Sequence, residues 1–249
     1  MSVEAAIGFP RADSTAADRR FYFFLTTLIT AVAIVGFAPS SAGILGGTIP
    51  SPPLVVHLHA AAMAAWLLLL VAQAGLVTAG RRDLHMRLGL ASLGLAPAIL
   101  VLFTAVTIVR YYDITEAGFG ALAANVLFLQ IRVIVMFPVF VIWALAVRVR
   151  DPETHKRAMI LAALLPIGAA FGRMAWIPGN DLMVTFDVSA ILEVALLAPA
   201  LLYDALRHGR VHRAYWIGLA LTVAWLVGAH FIWNSPAWHS AADVLLGVP

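Results

Sequence analysis

Seven apolar runs of 18 to 26 residues divide this chain, and the segments flanking them are alternately rich in arginine and free of Lys and Arg. A run of that length and composition is long enough to cross hydrocarbon as a helix. The runs cover 21–38, 54–79, 88–110, 121–146, 158–177, 186–206 and 214–233. Basic residues fall before the first run (Arg11, Arg19, Arg20), between the second and third (Arg81, Arg82, Arg87), between the fourth and fifth (Arg148, Arg150, Lys156, Arg157), and between the sixth and seventh (Arg207, Arg210, Arg213). Segments 39–53, 111–120 and 178–185, and everything after Arg213, contain none. The positive-inside rule then places the N-terminus in the cytoplasm and the C-terminus outside, which requires an odd number of spans.

The expected architecture is therefore an all-α polytopic helical bundle with seven transmembrane helices in a bacterial inner membrane. Residues 1–20 read as a cytoplasmic tail, 21–233 as the bundle, and 234–249 as a short outer segment. Within the last, "SPAWHSAADVLLG" suits a helix lying in the interface. Composition agrees, with 62% hydrophobic and 12% charged residues, against about 25% charged in soluble domains. The absence of cysteine excludes disulfides, iron–sulfur clusters and thiolate sites. The basic charges have a topogenic reading, so they do not point to nucleic acid. The single lysine, Lys156, lies in a loop. No retinal Schiff base can then form inside the last span, and the microbial rhodopsin reading fails.

Ionisable groups inside spans are functional candidates by default. Depth arithmetic at about 1.5 Å per residue puts His57, His59, Arg132, Arg173, Asp187, Glu193 and His230 in the outer half. Arg132 comes out about 16 Å deep. Trp66, Gln73 and Asn125 complete an expected polar pocket. His57 and His59 are about 200° apart on a helix, so they cannot share a site, and the His59 face, which also carries Trp66 and Gln73, is the interior one. Arg132–Glu193 is the first expected ion pair and Arg173–Asp187 the second. The plainer reading is that such pairs only fix helix order and rotation. The inner half is expected to hold little beyond Gln73 and loop charges.

His85 ("LHMRLG") and His155 ("THKRAM") open spans in similar settings. The order "HLHA", "LHMRLGL", "DPETHKRAMILA" resembles an uncharacterised family of bacterial inner-membrane proteins, over residues 54–177. More faintly, it resembles the four-helix proteins of cytochrome oxidase assembly and the b-type cytochromes. The resemblance carries His57 or His59, His85, Arg87, Gly89, His155, Arg157 and Met159, and implies a histidine-dependent role linked to haem or a metal.

Three functions stand against one another. A b-type haem or metal needs two imidazoles at one depth, for which His59 with His230, or His85 with His155, are the candidate ligands. The arginines around the inner pair disfavour a bare cation and better tolerate a quinone or haem propionates there. A non-catalytic assembly or interaction subunit of a respiratory or envelope complex explains the small loops. A transporter or proton pathway would use the outer-half charges. Hydrolase, metalloprotease and phosphate-loop signatures are absent.

Overall fold

The computed structural model describes residues 15–181 and 183–247. Secondary structure among them is entirely helical: α1 (Ala16–Leu45), α2 (Leu54–Thr78), α3 (Arg82–Gly89), α4 (Ala91–Glu116), α5 (Gly120–Val147), α6 (Pro152–Leu164), α7 (Gly168–Phe171), α8 (Asp187–His208), α9 (Arg213–Ile232) and α10 (Pro236–Leu246). Six segments are long and apolar enough to cross a membrane: α1, α2, α3–α4 taken together, α5, α8 and α9. Their outward faces carry Ile34, Leu68, Val101, Ile142 and Ile191, each more than 60% exposed. Such an apolar surface needs hydrocarbon around it.

The first helix starts five residues earlier than the apolar run. Thr15 and Asp18 form a capping box, in which Thr15 Oγ1 accepts from the Asp18 amide at 3.2 Å and Asp18 Oδ2 accepts from the Thr15 amide at 2.9 Å. Residues 16–20 of the expected tail are thus helical, while 1–14 lie outside the described residues. At the other end α1 runs through Pro39 to Leu45. The proline removes one donor, and the flanking turns continue regardless.

The fifth expected span differs most. α6 begins at Pro152, gives way to one 3-10 turn at Leu165–Ile167, and resumes only as the four residues of α7. Pro166 lacks the N–H that an α-helix would send back to Ala162, so the ladder tightens there. Beyond Phe171 the chain is irregular as far as Phe186. Asn180 holds that end, donating Nδ2–H to the carbonyls of Phe171 (2.7 Å) and Met174 (3.0 Å). This broken element is the most enclosed part of the bundle, with Ala158, Leu161, Ala162, Ala163, Leu165 and Ala170 all buried. α1 crosses it at Gly36, where a Cβ would come within 2.5 Å of the Ala170 carbonyl oxygen. A side chain there would push the two elements apart.

α5 is central, packing on α4, α6, α9 and α10. Trp66, Phe140, Leu25, Ile29 and Tyr215 are fully buried in the main core. The C-terminal segment does form a helix, α10. Tyr111 donates to Asp243 at 2.6 Å, Trp238 Nε1 donates to the Ala124 carbonyl at 2.7 Å, and Tyr112 donates to the Leu246 carbonyl.

Candidate functional site

The arginine-rich loops gather at one end of the bundle, called here the basic end; α10 lies at the other. Glu193 and Asp204 are eleven residues apart on α8, three turns and about 16 Å, and both face inward among Leu196, Leu197 and Ala200. Each meets an arginine from another helix. Arg132 of α5 donates Nη2–H to Glu193 Oε2 at 2.6 Å, with side chains 4% and 6% exposed. Arg157 of α6 donates Nε–H and Nη2–H to the two oxygens of Asp204, at 2.8 and 2.5 Å.

The two pairs differ in what surrounds them. Arg157 Nη1 also donates to Glu153, through Oε2 at 2.6 Å and the backbone carbonyl at 3.0 Å. Asp204 Oδ2 further accepts from the His212 amide at 3.0 Å, and the Arg157 guanidinium lies 5.7 Å from the Tyr215 ring centre. Arg132, by contrast, leaves buried Nε and Nη1 without hydrogen-bond partners among the described residues. Room for its pair comes from Gly168, where a Cβ would sit 2.7 Å from Glu193 Oε2.

Other residues expected in one pocket are dispersed. Asn125 faces the α10 end, donating to Asn234 Oδ1 at 2.9 Å and accepting from the Asn234 amide and His239. Trp66 is buried edge-on against Phe137, and its Nε1 has no partner. His57 is exposed and bonds Ser51 Oγ at 3.0 Å. His59 turns inward against the Phe103 ring, with Nδ1 buried and unpartnered.

The Arg173–Asp187 pair does not form. α7 has ended at Phe171, so Arg173 is not on a helix face; it donates to the Ala169 carbonyl at 2.7 Å and lies over the Phe37 ring. Asp187 instead approaches exposed His230, Nδ1 to Oδ1 3.6 Å. His230 faces Phe186 and His59 faces Phe103. These two imidazoles therefore do not address a common ligand.

His85 and His155 both lie at the basic end, within electrostatic reach of each other. His155 of α6 uses Nδ1 on the Ala144 carbonyl of α5 at 2.8 Å, leaving Nε2 as its remaining ring nitrogen. His85 of α3 lies against the Gln73 backbone of α2, and its Nδ1 is buried without a partner. Gln73 adds an unpartnered Oε1 there, while its Nε2 lies beside Gly89.

Sequence reasoning missed the Arg157–Asp204 clamp and expected little in that half. Arg157 entered only as a loop charge and by resemblance, and Asp204 was passed over because it lies three residues from the basic loop. The eleven-residue spacing from Glu193, which puts both on one helix face, is the signal that could have found it. Two crevices lie nearby, each with room for about one water molecule at most: an apolar one between α2, α4 and α5, and one beside Glu193. No protein-family model, curated protein or solved structure matches this chain.

Proposed function

We propose that the chain is a bacterial inner-membrane protein of seven spans, with its N-terminus in the cytoplasm, and that it holds a b-type haem or a metal ion between His85 and His155. The seventh span in this reading is the broken element. Its α6, 3-10 and α7 pieces add up to a rise of about 31 Å, close to the hydrocarbon thickness of about 30 Å. Loop charge supplies the orientation, with the basic end cytoplasmic.

The observation that carries the redox reading is a pair of histidines from α3 and α6 that lie within electrostatic reach of each other at the basic end. A ligating histidine characteristically donates its other N–H to a backbone carbonyl, which fixes ring and tautomer. His155 has that arrangement with Ala144, and His85 offers a buried nitrogen with no other use. Arg82 lies within electrostatic reach of His85 and Arg148 of His155. Their charges suit the propionates of a haem better than they suit a bare divalent cation. When bound, a haem supplies one-electron transfer within the membrane; the protein's part is to orient its two imidazoles and balance the propionate charge.

A second reading, a non-catalytic assembly or interaction subunit of a respiratory or envelope complex, draws support from polar groups spent on joining helices. Arg157–Asp204, Asn125–Asn234 and Tyr203–Asp18 are all of this kind. The proton-pathway reading draws less, because Leu196, Leu197 and Ala200 seal α8 between its two carboxylates.

One measurement separates the first two readings. A reduced-minus-oxidised visible spectrum of the detergent-purified protein is expected to show a Soret feature and a sharp α-band, lost in His85→Ala and His155→Ala and kept in His230→Ala. Well-folded protein with no such bands, and no metal by elemental analysis, leaves the assembly reading.

A further inference from the structure

The crevice beside Glu193 lies between α6, α8 and α9 and measures about 20 Å³. A site needs roughly 10–15 Å³, and two or more polar partners, to hold one water molecule. Both conditions are met here. Leu161, Leu164, Leu197 and Leu219 wall the crevice, and Glu193 and Thr222 are its polar lining side chains. Glu193 is 5% exposed and receives Arg132 through Oε2, so Oε1 makes no hydrogen bond among the described residues. Thr26, Thr30, Thr104 and Thr107 return their hydroxyls to the carbonyl one turn back in their own helices. Thr222 makes no such bond among the described residues, which leaves its hydroxyl to the crevice. The crevice between α2, α4 and α5 is the contrast. It measures about 10 Å³ and is lined by side chains such as Met63, Phe103 and Phe137, none of them polar, so it has nothing with which to hold a water.

We propose that one ordered water molecule occupies the Glu193 crevice and bridges α8 to α9, donating an O–H to Glu193 Oε1 and accepting the Thr222 hydroxyl proton. A carboxylate oxygen that faces only leucine forfeits its hydration, which is costly in an apolar setting. A hydrogen bond to an ionised acceptor is roughly twice as strong as a neutral one, and that offsets the cost of holding a water among apolar helices. The tip of a lipid chain would touch the leucines and leave Oε1 and the hydroxyl unpaired. The bridge also accounts for how the middle of α9 is held. α9 packs mainly on α6 and touches α8 lightly. Its start is tied down where the His212 amide meets Asp204, and Trp225 donates Nε1–H to the Phe128 carbonyl of α5 at 3.3 Å. Thr222 stands between those two ties, and the water gives it a polar link to α8. His85 and His155 play no part, so a protein without haem leaves this site standing.

The test is a crystal structure of the full-length protein, grown in lipidic cubic phase, at a resolution that shows ordered water. A single density peak is expected about 2.5–3.0 Å from both Glu193 Oε1 and Thr222 Oγ1, with the apolar crevice of the same map as the blank. Thr222→Val, which keeps the shape of the side chain, should lose the peak, and Thr222→Ser should keep it. An empty crevice, density continuous with a lipid chain, or a direct Thr222–Glu193 hydrogen bond overturns the assignment. So does a peak that survives Thr222→Val, since Glu193 alone would then hold the water and no bridge would exist.

Discussion

The two ion pairs of α8 are chemically alike and structurally opposite. At Asp204 every guanidinium nitrogen of Arg157 is engaged, and the carboxylate also accepts a backbone amide. At Glu193 a single hydrogen bond is made, and two arginine nitrogens stay buried without partners. A buried charge is tolerable only when pairing and hydrogen bonds replace its lost hydration. The first pair meets that condition in full and ties α8 to α6 and to the start of α9. The second meets it in part, beside a cleft. One is a clamp; the other holds polar capacity open at some cost in stability.

Breaking the clamp should have the largest effect. Asp204→Asn leaves Arg157 charged, 2% exposed and facing an amide. Removing one partner of a buried pair costs about 3–5 kcal/mol, enough to leave little folded protein in detergent, as read by thermal unfolding and size exclusion. An unfolding temperature within a few degrees of the unmodified protein would show that the clamp is not structural.

Replacing the other pair whole should act the opposite way. Exchange of buried ions for well-packed apolar residues is often neutral or stabilising by about 1–4 kcal/mol. Arg132→Met with Glu193→Leu is therefore expected to match or exceed the parent's unfolding temperature. A marked loss of stability in the double variant would erase the contrast between the pairs and make both structural.

The contrast was half legible in the sequence. Arg132 and Glu193 stand out because charges deep in apolar runs are rare, and the structure joins them. Asp204 sits where an apolar run meets a basic loop, and charge there reads as interfacial. Arg173 and Asp187 were matched by a depth scale that assumes unbroken helix. Pro166 and the ending at Phe171 invalidate that scale for the fifth segment. Gln73 lies on the His59 stripe in rotation, but about two helical turns from Trp66 it belongs to the other end of the bundle. Periodicity reports faces well and reports which neighbour covers them poorly, since the neighbour is chosen by long-range packing.

The smallest effect concerns how the clamp is held at its edge. His212 accepts the Ala214 amide on Nδ1 at 3.2 Å, capping α9, while its own amide binds Asp204. Burial, and then the charge of Arg157, hold its pKa below the ordinary 6.5, although Asp151, Asp204 and Glu153 pull the other way. With the folded pKa depressed, the unfolded chain takes up the proton first as pH falls. The His212 contribution is thus complete above about pH 6.5 and is lost as pH drops from there through the folded value, when Nδ1 can no longer accept. Asparagine caps helices without titrating in this range. His212→Asn should therefore unfold close to the parent at pH 8 and show a shallower fall between pH 7 and 5. Every other residue is common to the two proteins, so the difference between the curves isolates this one. Parallel curves would mean that the cap does not sense pH and that the clamp's edge is held by the Asp204–amide bond alone.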